Sequence, residues 1–197
     1  MGNIDGYLLV DKPAGRSSAS ITRQLGRILD SRAGHLGTLD PLATGLLVVC
    51  IGKALKLVPY LQKGAKRYLA EVSFGRSTVS YDAEGEVTAT CEVPDDLQTL
   101  VRKGLKRFSG EVIQLPPPYS AVKVDGTRLL KLARRGADVE LPERKVTFYD
   151  ITIQNWRPDA VVLEVSCSAG TYIRSLAHDL GKAIKVPAHL ASLRRLE

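Results

Sequence analysis

Residues 33–51 read Ala33-Gly34-His35-Leu36-Gly37-Thr38-Leu39-Asp40-Pro41-Leu42-Ala43-Thr44-Gly45-Leu46-Leu47-Val48-Val49-Cys50-Ile51. The last six form an apolar run of strand length, so the segment predicts a buried strand fed by a glycine-rich loop. Gly34, Gly37, Gly45 and Gly52 bracket an Asp-Pro step. Glycine admits tight backbone geometry and close approach of a ligand. Proline biases Asp40 away from the α region and stiffens its backbone. A carboxylate so placed is either presented on a rigid edge or caps amides in a turn, and the segment alone favours the turn. The loop does not close with Gly-Lys-Ser/Thr, because Gly52-Lys53 is followed by Ala54. With no G-x-G-x-x-G pattern either, a nucleotide cofactor finds no support.

Upstream, Tyr7-Leu-Leu-Val-Asp11 predicts a short strand ended by the turn Lys12-Pro-Ala-Gly15. Ser17 and Ser18 are placed to cap a helix that ends near Asp30, with Ile21, Leu25, Ile28 and Leu29 on one face. Downstream, a short helix is expected over 53–61 and a half-buried strand through Tyr68, Ala70, Val72 and Phe74. A turn at 82–85, a strand near 86–92 and a helix from about 94 towards 108 follow. Next come Pro116-Pro-Pro118, a strand over 120–124, an Asp125-Gly126 turn and a basic helix near 127–135. Strands over 145–155 and 160–168, a helix over 171–184 and a short strand through Leu190 and Leu193 complete the chain. Adjacent strands joined by tight turns imply antiparallel pairing, and the order lacks the alternation of a doubly wound sheet. The expected class is α+β, a large mixed, mainly antiparallel sheet flanked by helices and loops.

A chain of 197 residues buries enough surface to stand without disulfides or metals. Its formal net charge of +7 raises the prior on a polyanionic partner, nucleic acid or an anionic membrane surface. Cys50, Cys91 and Cys167 make an odd, scattered trio without a C-x-x-C pair, and the three histidines lack zinc-protease spacing. No metal site, no membrane span and a reducing, cytoplasmic setting are therefore expected.

Three further features invite a functional reading. Arg174 falls in the first turn of a helix, where the dipole disfavours a cation, which hints at a specific anionic partner; a solvated surface arginine is the alternative. Tyr68 opens a strand after Lys66-Arg67 and is either a core-edge residue or a stacking surface for a planar ring. Basic clusters at Lys63, Lys66 and Arg67, at Arg102, Lys103, Lys106 and Arg107, at Arg128, Lys131, Arg134 and Arg135, and at Arg194 and Arg195 are solvated faces or phosphate contacts.

Taken in order, the motifs resemble the TruB family of pseudouridine synthases over nearly the whole chain. They are Gly6-Tyr-Leu-Leu-Val-Asp-Lys-Pro-Ala-Gly-Arg-Ser-Ser18, the 33–47 loop, Lys66-Arg-Tyr68, Pro117-Pro-Tyr-Ser-Ala121, Gly170-Thr-Tyr-Ile-Arg-Ser175 and His189-Leu-Ala-Ser-Leu-Arg-Arg195. The resemblance implies that Asp40 is the catalytic carboxylate, that Tyr68 stacks on the target base and that Arg174 pairs with Asp40. It also implies that Tyr172 and Leu193 line the pocket, that His35 helps hold the flipped T-loop, and that Lys66, Arg67, Arg128, Lys131, Arg134 and Arg135 touch the RNA backbone. Residues 1–197 would form one catalytic domain with a thumb-like RNA-binding insertion over about 119–144, without the PUA domain that family members commonly carry. The implied substrate is the T-arm of transfer RNA, the implied state a monomer, and the implied chemistry needs no cofactor. Leu36, where a small residue is usual, and Val186-Pro187, in place of a Gly-containing step, depart from the family pattern.

Overall fold

The computed structural model describes residues 4–62, 64–120, 122–124, 126–129 and 141–197, with the side chains of Lys123, Val124 and Arg128 outside the description. The chain divides into two units, residues 1–69 with 193–197, and residues 70–192.

In the first unit, β1 (Gly6–Lys12) is followed by α1 (Ser18–Ile28), β2 (Ala33–Leu36) and β3 (Thr44–Ile51). A 3-10 turn over Gly52–Leu57 then leads into α2 (Val58–Leu61). β3 is central. It pairs antiparallel with β1, from Gly6 opposite Ile51 to Lys12 opposite Gly45, and antiparallel with β2. Leu47, Val49, Cys50 and Ile51 are buried, which is what the apolar run required. Residues 33–36 were expected to be loop, but they form β2 on β3 because Ala33 to Leu36 lie in register with Ile51 to Val48.

Ser17 is the N-cap of α1, its side chain accepting from the Ser20 N–H at 3.1 Å. Ser18 does not cap; it is buried with Ile21 and Thr22 on the inner face. Ile28, expected on that face, is 68% exposed. The inward stripe runs 18-21-22-25-29 at helical spacing, and position 28 falls outside it.

β4 (Lys66–Phe74) and β12 (Ala188–Arg195) each contribute residues to both units. The last residues of β12, Arg194 and Arg195, lie parallel to Thr44 and Gly45 of β3, which makes the sheet mixed. The second unit adds β5 (Arg76–Thr78) and β6 (Val87–Thr90) as an antiparallel pair, then α3 (Leu97–Leu105) and β7 (Gly110–Gln114). β8 (Lys123–Val124) and β9 (Thr127–Arg128) pair antiparallel, followed by β10 (Arg144–Arg157), β11 (Ala160–Cys167) and α4 (Ile173–Ile184). Its ladder runs β12-β4-β11-β10-β7. The α+β class with a mixed, mainly antiparallel sheet is as expected.

Two differences from the sequence reading have clear causes. β7 was not anticipated, because its pattern is inverted: Ile113 is 54% exposed while Gln114 is buried. Thr127 and Arg128, assigned to a basic helix, form β9 instead, since they pair antiparallel with Val124 and Lys123. Most of the remainder of that helix, with the expected contacts Lys131, Arg134 and Arg135, lies outside the described residues. α4 buries Ile173, Leu176, Ala177 and Leu180 as its spacing demands, together with Arg174 and Ser175. It packs on α3 at Gly104, where a Cβ would collide with Leu180 and Ile184. Among the described residues no helix is long and apolar enough to cross a membrane.

Candidate functional site

Asp40 belongs to the first unit and is half-buried in the loop between β2 and β3. Its backbone is anchored on both sides. The hydroxyl of Ser18 accepts from the Leu39 N–H and donates to the Leu39 carbonyl, both at 2.9 Å. The Pro41 carbonyl accepts from the Gly15 N–H at 2.8 Å and from Lys12 Nζ at 3.2 Å. Lys12 is fully buried, and its ammonium also donates to the carbonyls of Pro13 at 2.9 Å and Arg16 at 2.5 Å. Buried cations are tolerated when such acceptors replace water. The turn anticipated at Asp40 is present, made by its own carbonyl, which accepts from the Ala43 N–H at 3.1 Å.

A second frame comes from β12. Arg195 is buried, and its guanidinium donates to the Leu46 carbonyl at 2.6 Å, the Gly37 carbonyl at 3.2 Å and the Leu36 carbonyl at 3.5 Å. These carbonyls flank Asp40 in sequence. Gly45, at φ +95°, is in the left-handed region, and a Cβ there would collide with the Arg195 carbonyl. Glycine is therefore required for the parallel contact of β3 with β12.

The other first-unit candidates sit as follows. His35 lies on β2 with its Nε2 at 3.1 Å from the Thr38 hydroxyl, and burial, with the Arg195 charge, holds its pKa below the usual imidazole range. Tyr68 is 9% exposed and points to the buried side of β4. Leu193 is buried, and its carbonyl accepts from the Thr44 hydroxyl at 3.4 Å. Lys66 Nζ donates to the carbonyls of Gly64 and Ala65, and Arg67 faces the Glu197 carboxylate at 3.7 Å.

Arg174 and Tyr172 belong to the second unit. Arg174 is the second residue of α4, and the anionic partner its position called for is present in that unit. Its guanidinium meets the Asp82 carboxylate at 3.3 Å, with both side chains 5% exposed. It also donates to the carbonyls of Ser80 at 3.1 Å and Tyr119 at 3.0 Å. Asp82 is itself fixed, accepting from the Ser80 hydroxyl at 2.5 Å and the Glu84 N–H at 3.1 Å. Thr171 does not cap α4: its hydroxyl donates back to the Ser168 carbonyl at 2.8 Å, and Tyr172 takes the N-cap position. The Tyr172 backbone is gripped by buried Gln114, whose amide accepts from its N–H at 2.8 Å and donates to its carbonyl at 3.0 Å. Ser175 donates to the Leu115 carbonyl at 2.7 Å.

Sequence reading missed four residues that hold these candidates: Ser18, Arg195, Asp82 and Gln114. Asp82 was assigned to a turn, and its bond to Glu84 makes it a turn residue indeed. Its second role depends on which residue folds against it, and no local pattern carries that. Arg195 was visible as part of a basic pair and as the end of the 189–195 motif, yet the two neighbours differ. Arg194 is exposed and makes a bidentate pair with Asp11, at 3.0 and 2.8 Å, while Arg195 points inward.

A family model described as "TruB family pseudouridylate synthase (N terminal domain)" matches residues 26–173. The chain is 40% identical over 197 residues to "tRNA pseudouridine synthase B" of Francisella philomiragia, covering 99% of this chain and 65% of that protein. It is 47% identical over 194 residues to the protein of the same name from Chromohalobacter salexigens, covering 98% and 63%. The chain thus spans just under two thirds of the length of the curated relatives it matches. Among solved structures it resembles a chain of "Crystal Structure of a Cbf5-Nop10-Gar1 Complex", with a TM-score of 0.73 and 33% identity, covering 98% of this chain and 48% of that one.

Proposed function

The chain belongs to the TruB family of pseudouridylate synthases, and on that premise we propose that it converts the T-loop uridine 55 of transfer RNA to pseudouridine. The reaction is an isomerisation: the N1–C1′ bond breaks, the uracil turns, C5 joins C1′, the C5 proton leaves and N1 takes one up. It is redox-neutral and calls for no cofactor. The reacting atoms are inaccessible in a folded stem-loop, so the nucleotide is flipped out before chemistry. Ionised Asp40 acts as nucleophile at C1′ or abstracts a ribose proton to give a glycal. In this reading Arg174, besides its pair with Asp82, is the guanidinium that favours the charged carboxylate, since an opposite charge nearby lowers a carboxyl pKa. Tyr68 keeps the detached base stacked while it reorients, Tyr172 and Leu193 line the base pocket, and His35 holds the flipped loop.

The observation that best supports this reading is the mounting of Asp40: a half-buried acid whose neighbouring residues, Leu39 and Pro41, are tied by Ser18, Gly15 and Lys12. Differential stabilisation of a transition state demands groups held before the reaction begins. The relatives' names supply the RNA class. The T-arm, a monomeric state, a cytoplasmic setting and RNA gripping by the 119–144 insertion complete the proposal.

Tritium release from transfer RNA labelled at uridine C5 tests it. The wild-type chain should release the label, and Asp40→Asn should release none while RNA affinity stays within about 3-fold, because the uniform binding contacts remain. Turnover by Asp40→Asn comparable to wild type would refute the assignment. Tight binding without release by the wild type would make the chain a non-catalytic RNA-binding module.

A further inference from the structure

We propose that Ser18 is a positioning residue for the Asp40 carboxylate, an inference that rests on the isomerase reading above. Ser17 already caps α1. Ser18 is therefore free to turn inward, where it is 1% exposed. Its one hydroxyl bridges 21 residues of sequence, accepting from the Leu39 N–H and donating to the Leu39 carbonyl, each at 2.9 Å. A hydroxyl offers one hydrogen and two lone pairs, so it holds both bonds at once. The Leu39 carbonyl shares a rigid plane with the Asp40 N–H, because partial double-bond character flattens the peptide. Fixing that carbonyl fixes the plane from which the Asp40 Cα departs.

The other side of Asp40 is already constrained. Pro41 restricts the backbone of the residue before it, and the Pro41 carbonyl is held by Gly15. With Ser18 in place, motion of the carboxylate is confined to the side-chain torsions of Asp40. Without the hydroxyl, the Leu39 N–H and carbonyl lose this buried partner and the 39–40 peptide is free to tilt. Reaction rates are sensitive to such a change, since a misplacement of about 1 Å costs about 100-fold.

The test uses the whole chain with Ser18→Ala, Ser18→Thr, which keeps the hydroxyl, and Ser18→Cys, which keeps the size with a weaker donor. Single-turnover tritium release, RNA affinity, thermal midpoint and titration of the 13C-labelled Asp40 carboxyl by NMR are measured for each. Ser18→Ala should lower the turnover rate by about 10- to 100-fold with RNA affinity within about 2-fold, and Ser18→Thr should recover most of the loss. The Asp40 carboxyl should titrate at a different pH in Ser18→Ala. A folded Ser18→Ala with wild-type turnover and an unchanged Asp40 titration would overturn the proposal, as would a loss confined to RNA affinity. If Ser18→Ala does not fold, Ser18→Cys is judged by the same readouts. Should the wild-type chain release no tritium, the isomerase reading falls, and the Asp40 titration alone decides the role of Ser18.

Discussion

Arg174 enters α4 at its second position, where the exposed amides of the helix start repel a cation. The 3.3 Å ion pair with Asp82 and two backbone carbonyls make that placement tolerable. A buried pair is weak evidence for net stability, but removal of one partner strands the other charge away from water. Asp82→Ala should therefore cost about 3–5 kcal/mol of unfolding free energy, read from urea denaturation. A change below about 1 kcal/mol would mean that Arg174 finds another counter-charge. Arg174→Lys should lower single-turnover tritium release by at least about 100-fold, because a point ammonium cannot span a carboxylate and two carbonyls at once. The position of this arginine hinted at an anionic partner and equally allowed a solvated surface residue. That Asp82 is the partner was not legible, because the Ser80 carbonyl in the same network lies 94 residues away in sequence.

On α4, two neighbouring residues give opposite responses to acid. Burial, aided by the charge of Lys182, pushes the His178 imidazole down to about 4, and the ring stacks on Tyr81 at 3.7 Å. Burial also pushes the Asp179 carboxyl up to about 6, against the charge of Lys182. Between pH 6.5 and 4 the unfolded chain protonates His178 first, so the His178 contribution to stability falls as pH falls. Between pH 6 and 3.8 the folded chain protonates Asp179 first, so the Asp179 contribution rises as pH falls. The two oppose each other. Thermal melts of Asp179→Asn should lose stability more steeply than wild type from pH 6.5 to 4, whereas His178→Phe, which retains a ring against Tyr81, should lose less than wild type over the same fall in pH. Parallel profiles for both variants and wild type would refute the assignment. At the junction of β3 with β12, Gly45→Ala should destabilise by more than about 1 kcal/mol, since φ is positive and the Arg195 carbonyl occupies the space. Elements whose hydrophobic period matched their burial, such as β3, β4 and α4, were legible in the sequence. β7 was not, because Gln114 turns inward to bind the Tyr172 backbone and reverses the expected polarity.

For the molecule as a whole, the net charge of +7 sets the expected mode of RNA binding. Each phosphate contact releases condensed counterions, so affinity should fall linearly with the logarithm of salt concentration. Lys66→Ala should lower that slope by about 1 and weaken all RNA sequences alike. Arg67→Ala, at a residue that faces Glu197 at 3.7 Å, should also lower the slope. A slope that neither variant alters would leave both as solvated cations. The sequence by itself determined the α+β class, the central buried strand, the glycine-bracketed Asp40 and the family. These rest on local periodicity, turn chemistry and motif order, all of which are written along the chain. Only the tertiary structure decided what holds the candidate residues: Ser18 on Leu39, Arg195 on Gly37 across 158 residues, and Asp82 on Arg174. Those bonds form between groups that meet only after the strands pair, and most of the acceptors are backbone carbonyls, which every residue carries and no sequence pattern marks.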